Sequence, residues 1–212
     1  LVVNGKTVTS DVSPIIINER TVSLSQILRL FENNPEYGKD FILTSQQAME
    51  MVTDNACVVV VDVNTPGRTE CPELLTHCKS VVVLDHHRQA AGVIENAALS
   101  YIEPSASSAC EMIAEILQYF EDNVKLRALE ADCIYAGIII DTHSFAAKTG
   151  VRTFEAAAYL RRSGADVIRV RKALRDDLGS YKARAYAVSH AEDYMGCYAI
   201  SICDASGTEN PN

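Results

Sequence analysis

The stretch SVVVLDHHRQ, Ser80 to Gln89, decides how the chain is read. Val81, Val82, Val83 and Leu84 form an unbroken β-branched and aliphatic run, the pattern of a strand buried on both faces of a sheet. The run then ends in a carboxylate, two imidazoles and a guanidinium: Asp85, His86, His87 and Arg88. A polar exit from a buried strand is ordinary, so Asp85 alone would be unremarkable. The two adjacent histidines are less easily dismissed, because imidazole is a common metal ligand and titrates near neutrality.

A second run of the same kind lies upstream. CVVVVDVN, residues 57–64, reads as a buried strand ending at Asp62. Helical spacing surrounds these strands. SLSQILRLFENN places Leu24, Ile27, Leu28 and Phe31 on one face, TSQQAMEMVTDN offers Thr44 or Ser45 as N-cap, and CPELLTHC reads as a helix. After a short strand around LSYIEP comes SASSACEMIAEILQYF, in which Ser108 and Glu111 have capping-box spacing ahead of Met112, Ile113, Ile116 and Leu117. KLRALEADCIYAGIIIDT reads as a helix that is apolar nearly all round at its far end, hence buried, and that terminates at Asp141. TFEAAAYLRRSGAD follows as a helix with Gly164 at C′. DVIRVRKALRDD and YKARAYAVSHAEDY read as polar-faced helices, and CYAISICD as a last strand with nothing left to pair with. The alternation predicts an α/β fold, a parallel β-sheet flanked by helices.

Composition narrows the function. Of 212 residues, 48% are hydrophobic and 22% charged, as in ordinary globular proteins. Nineteen Lys and Arg against 28 Asp and Glu give a formal charge of −9. Such a surface does not attract long nucleic acid, but a small phosphorylated substrate held through metal ions is compatible with it. The seven cysteines are odd in number and include no CxxC pair. They read as buried free thiols of a reducing compartment rather than disulfides or zinc ligands. No apolar run approaches the ~20 residues of a membrane span. The start, LVVNGKTV, has neither an initiator Met nor a signal-peptide layout, and is expected to be the middle of a longer chain.

In open parallel sheets the ligand crevice lies outside the carboxyl ends of the strands. Asp62 and Asp85-His86-His87 both stand there, and Asp141 stands where a buried helix emerges. Two carboxylates and an imidazole suit Mn²⁺ or a similar divalent ion, and a shared carboxylate can bridge two ions for in-line displacement at phosphorus. Plainer readings stand beside this one. Asp62 alone reads as a loop cap. Asp141 followed by Thr142 also fits a simple helix end. Arg88 is either a phosphate contact or a solvated cation, and His77, His143 and His190 read as surface residues.

The motifs VVVVD, VVVLDHHR, YIEPSASSACEMIAEIL, YAGIIIDT and TGVRTFEAAAYLRRSGAD, in this order, resemble the DHH phosphoesterase superfamily. Within it the chain is similar, from first residue to last, to the catalytic region of membrane-anchored cyclic-di-AMP phosphodiesterases of the GdpP (YybT) type. The resemblance implies that Asp62 bridges two Mn²⁺ ions, that His86 is a metal ligand and that Asp141 ligates the second ion. It implies that His87 faces the scissile phosphate, with Asp85 supporting the ligand loop, and that Arg88, Ser107 and Ser108 contact substrate. The implied reaction is attack of a metal-bound hydroxide on cyclic-di-AMP, giving linear diadenylate.

The family's first motif, a His and two Asp in an HxxxDxD-like segment, does not occur in this sequence. The expected organisation is therefore a DHH domain over 1–176 that lacks this motif, then a linker helix and the first strand of a DHHA1 domain over 177–212. A chain without these parts is expected to be inactive alone. Its parent would be anchored to the bacterial membrane by segments outside this sequence, with the enzyme on the cytoplasmic face and a homodimer compatible with it. Weighed beside this are an oligonucleotide-cleaving enzyme of the nanoRNase or RecJ kind, a pyrophosphatase, and a non-catalytic regulatory or scaffold module. The expectation for the fold is that Asp62, His86 and Asp141 converge in one polar crevice, with His87 directed toward it.

Overall fold

The computed structural model describes residues 2–3, 6–7, 13–20, 22–53, 55–89, 91–120, 125–175 and 178–203. It begins with three short strands, β1 (Val2–Val3), β2 (Lys6–Thr7) and β3 (Ile15–Ile16), then α1 (Val22–Glu32), β4 (Ile42–Leu43) and α2 (Ser45–Met51). Next come β5 (Cys57–Val61), α3 (Glu73–His77), β6 (Ser80–Asp85) and β7 (Leu99–Ile102). The helices α4 (Ala109–Leu117), α5 (Ala128–Asp141), α6 (Val151–Arg162), α7 (Val167–Ala173) and α8 (Leu178–Ser189) follow, and a hairpin, β8 (Glu192–Tyr194) and β9 (Tyr198–Ile200), closes the series. The expected α/β architecture with parallel strands and flanking helices is present. Two compact units, Leu1–Arg171 and Lys172–Asn212, divide the chain. The expected boundary at 176/177 falls outside the described residues.

The central sheet has the order β5-β6-β7, all parallel. Its middle strand, β6, is buried on both faces. Val81 and Val83 pack with Val60, Leu75 and Ile94 on one side, while Leu84, on the alternate face, is also buried. Beyond the sheet, α4 packs against β6, α5 and α6, and Met112, Ile138 and Leu160 are fully buried. Short two-stranded pairs, β1 with β2 antiparallel and β3 with β4 parallel, lie outside this sheet.

Capping chemistry sets several ends. Thr44 Oγ1 accepts from Gln47 N while Thr44 N donates to Gln47 Oε1 at 2.9 Å, a reciprocal box that starts α2. Gly164, at φ +106°, takes the left-handed position after α6. At α4 the expected box is only half made. Ser108 Oγ accepts from Glu111 N at 3.0 Å, but the Glu111 carboxylate turns away to Ser107 and Thr153.

Three readings of the sequence are corrected. The run CVVVVDVN is not buried on both faces: among the described residues β5 pairs with β6 alone, and Val59 and Val61 are exposed. The segment YKARAYAVSHAEDY is not helical throughout, because α8 stops at Ser189 and Glu192–Tyr194 is a strand. That strand is the partner CYAISICD was expected to lack, and β8 and β9 pair antiparallel. Met195 and Gly196, both at positive φ, turn the chain between them in the manner of a type I′ turn. The cysteines are all free, with Cys71 and Cys78 buried, Cys57, Cys110 and Cys133 half-buried, and Cys197 and Cys203 exposed.

Gly137, in the middle of α5, has a packing reason: a Cβ there would overlap Cys110 Sγ on α4. Helix propensity alone favours Gly137→Ala by about 1 kcal/mol. Overpacking should reverse the sign, with a net loss of roughly 1–3 kcal/mol in urea unfolding. Adding Cys110→Ala should restore most of it; a Gly137→Ala variant as stable as the parent would contradict this packing.

Candidate metal centre

Parallel pairing positions the site. Val61 is in register with Leu84, and the next amide, Asp62 N, donates to Leu84 O at 3.0 Å. Asp62 then takes φ +68°, a left-handed conformation that is uncommon outside glycine but several-fold enriched for aspartate. This carries the Asp62 carboxylate to the end of β6, with Oδ1 3.3 Å from His86 Nε2 and 3.9 Å from His87 Nδ1.

Asp141 arrives from the other side of the sequence, at the last residue of α5. The helix end is made by Thr142 instead. Its buried Oγ1 donates to Ile138 O at 2.6 Å and accepts from Phe145 N at 3.0 Å. Asp141 Oδ2 is thereby left 3.8 Å from His86 Nε2. The structure thus brings Asp62, His86 and Asp141 together, with His87 beside them.

The two histidines are held differently. His86 is nearly buried, with Nδ1 3.4 Å from Ala106 O. A carbonyl only accepts, so in the tautomer that carries its proton on Nδ1 the Nε2 lone pair faces two carboxylates. In that tautomer three acceptors are directed at one another and repel unless a cation, a proton or a metal ion, lies between them. The donor set therefore fits a divalent ion, and the oxygen and imidazole chemistry is of the right kind. Asp62 Oδ1 and one nitrogen from each of His86 and His87 lie within 4.8 Å of one another.

His87 is half-exposed and its Nδ1 is committed. It donates to Asp85 Oδ1 at 2.8 Å, which leaves Nε2 as the free nitrogen of the ring. Asp85 is fully buried and also accepts from His87 N at 3.1 Å and from Asn64 Nδ2 at 2.6 Å. Asn64, buried and also 3.4 Å from His87 O, is a positioning residue that the sequence reading passed over. Its only signal was a place two residues after Asp62.

The remaining candidates divide. Arg88 is exposed and lines a cleft of about 560 Å³ with His86, His87, Pro104, Ser105, Ala106, Lys148, Thr149 and Gly150. Ser107 and Ser108 are buried beneath this wall, their hydroxyls engaged with Glu111 Oε2 and Glu111 N. His77, His143 and His190 are exposed. Burial above all, and then the Asp141 charge, raise the Asp62 pKa, with His86 and His87 opposing. Burial, with the Asp141 and Asp62 charges adding, pushes the Cys110 thiol up to about 12, so it stays protonated below the site.

A family model described as "DHH family, N-terminal domain" matches residues 8–138. The chain is 43% identical over 165 residues to the cyclic-di-AMP phosphodiesterase GdpP of Geobacillus thermodenitrificans (strain NG80-2), covering 78% of this chain and 24% of the relative. It is 37% identical over 184 residues to the GdpP of Bacillus subtilis (strain 168), covering 87% and 28%. The chain therefore spans about a quarter of the length of these curated relatives. A crystal structure of an exopolyphosphatase-related protein from Bacteroides fragilis shares the fold, with a TM-score of 0.61 and 19% identity over 79% of this chain and 50% of that one.

The raised Asp62 pKa fixes the sign of a stability test. Its stabilising form is the protonated one, fully present below the unfolded pKa and lost as pH rises through the folded pKa. At neutral pH the metal-free ionised carboxylate is a cost. Asp62→Asn, which tolerates the left-handed backbone, should therefore be at least as stable as the parent in EDTA at pH 7 and less pH-dependent. Mn²⁺ should raise the melting temperature of the parent and not of the variant. Equal Mn²⁺ shifts in both would separate Asp62 from metal binding.

Proposed function

The chain belongs to the DHH family, and from that premise we propose that it carries the catalytic face of a divalent-metal phosphodiesterase that opens cyclic-di-AMP to linear diadenylate. The observation that supports this most directly is the convergence of Asp62, His86 and Asp141 beside an imidazole fixed by a buried carboxylate. Asp62, His86 and Asp141 would hold the ions, with Asp62 shared and Mn²⁺ the metal we infer. Divalent ions there supply Lewis acidity, activating water near neutral pH and balancing charge at phosphorus.

The chain's own residues orient the rest. Asp85 holds the His87 ring by Nδ1, so that Nε2 is free to contact a phosphate oxygen and favour the charge that develops there. Asn64 keeps Asp85 desolvated and correctly turned, as a partner behind a functional histidine does. Arg88 supplies positive charge at the cleft rim, while Ser107 and Ser108 act from below by fixing the wall that carries Ala106. We assign residues 1–176 to the DHH phosphoesterase domain and 177–212 to a linker helix and the first strand of a DHHA1 domain. Three donors are fewer than two six-coordinate ions require, so we expect the 212 residues alone to bind Mn²⁺ weakly and not to turn over.

The test is kinetic, on the longest native polypeptide that carries this chain. His87→Ala should keep metal content and KM while lowering kcat by ~10²-fold or more, the scale of losing one oriented donor. Asp62→Asn should lose bound metal as well as turnover. Full turnover by His87→Ala on cyclic-di-AMP would remove that residue from the chemistry. Faster hydrolysis of short oligonucleotides than of cyclic-di-AMP would overturn the substrate.

A further inference from the structure

The cleft beside the metal centre has a wall that the site described so far does not use. Lys148, Thr149 and Gly150 line it together with Arg88. The segment reaching them from Asp141 is wound unusually, with His143, Ser144, Phe145 and Lys148 all at positive φ. Left-handed backbone is unfavourable at each such non-glycine residue. The winding is held by Thr142, which takes the amides of Phe145 and Ala147 on its hydroxyl and carbonyl oxygens. The segment ends at Gly150, whose N–H donates to Thr153 Oγ1 at 3.0 Å.

Thr153 connects this wall to the other one. Its hydroxyl donates to the buried Glu111 Oε2 at 2.6 Å, and the same oxygen accepts from Ser107 Oγ at 2.5 Å. Ser107 follows Ala106, whose carbonyl holds His86. One buried carboxylate thus braces the 148–150 segment against the loop that fixes the metal-facing histidine.

Charge gives this wall its chemistry. In a chain of net charge −9, Arg20, Arg127, Arg152 and Arg169 each lie within 4.0 Å of a carboxylate. Arg88 and Lys148, like Arg68 and Arg162, make no such pair among the described residues, but Arg88 and Lys148 line the same cleft. At about 560 Å³ the cleft is far larger than one phosphate requires and falls in the range of small-ligand sites.

We propose that Lys148, with Arg88, forms a second phosphate subsite, so that the cleft selects ligands carrying two separated phosphate groups, one at the metal centre and one at this wall. The proposal rests on the phosphodiesterase reading and deepens it, making Lys148 a specificity residue for that reaction.

The test is calorimetric titration, in Mn²⁺, of the longest native polypeptide that carries this chain, slowed by His87→Ala, with cyclic-di-AMP, thymidine 3′,5′-bisphosphate and thymidine 5′-monophosphate. Lys148 is exposed, so Lys148→Ala, Lys148→Gln and Lys148→Arg should all fold, which circular dichroism checks. Both neutral variants should bind the bisphosphate and cyclic-di-AMP roughly tenfold more weakly, the scale of one charged hydrogen bond. They should bind the monophosphate as the parent does, and Lys148→Arg should retain the parent's affinities. Lys148-dependent binding of the bisphosphate with no binding of cyclic-di-AMP would leave the subsite standing and sink the cyclic-dinucleotide reading. Neutral variants equal to the parent on the bisphosphate would overturn the subsite. So would an equal loss on the monophosphate, or a parent that does not bind the bisphosphate.

Discussion

The parallel pairing of β5 with β6 is the constraint on which the site depends. Its register sets Val61 beside Leu84 and continues through the Asp62 N to Leu84 O hydrogen bond. Because side chains alternate along a strand, a slip of one residue would exchange every inward and outward group. Val81 and Val83 would leave the core, and the Asp62 turn would open away from His86. Burial of β6 on both faces is what makes such a slip costly, so hydrophobic packing fixes the geometry of a polar site.

Electrostatics then divides labour between neighbouring residues. Asp85 is buried but receives hydrogen bonds from Asn64 Nδ2, His87 N and His87 Nδ1, which replace those that water would make. Among the described residues Asp62 has no comparable set of donors. Its environment is burial, a second carboxylate and two imidazoles, and its proton affinity rises accordingly. One carboxylate is satisfied by the protein and therefore structural in effect. The other is the one we propose to hold a cation. Two adjacent histidines inherit this difference, one with its outer nitrogen turned to carboxylates and one with its inner nitrogen committed to Asp85.

Much of this was legible in the sequence where burial and chemistry coincide. The run Val81 to Leu84 reads as a strand buried on both faces, and the polar residues after it stand at its carboxyl end. Asp141 was legible for the same reason, at the end of the apolar run in α5. Other features depend on tertiary neighbours that local pattern does not encode. Val59 and Val61 look as buried as Val81 and Val83, yet among the described residues β5 has a strand on one side alone. Glu111 has the spacing of a capping residue, yet its carboxylate is taken by Thr153, 42 residues away. The β8–β9 hairpin was hidden by a turn that places Met195, not the usual Asn or Gly, at its first left-handed position. The resemblance to the DHH family supplied roles that spacing alone left open.

If the groups of Asp62, His86 and Asp141 face one another because a metal ion belongs between them, manganese should settle there. Anomalous diffraction at the manganese edge, from crystals of this chain soaked in MnCl₂, tests it most directly. The account predicts a peak within coordination distance of Asp62 Oδ1 and His86 Nε2, with the Asp141 carboxylate turned toward it and the His87 to Asp85 hydrogen bond intact. Manganese found only at other acidic side chains, with Asp62 and His86 still in direct contact near 3.3 Å, would show that a proton rather than a metal closes this cluster.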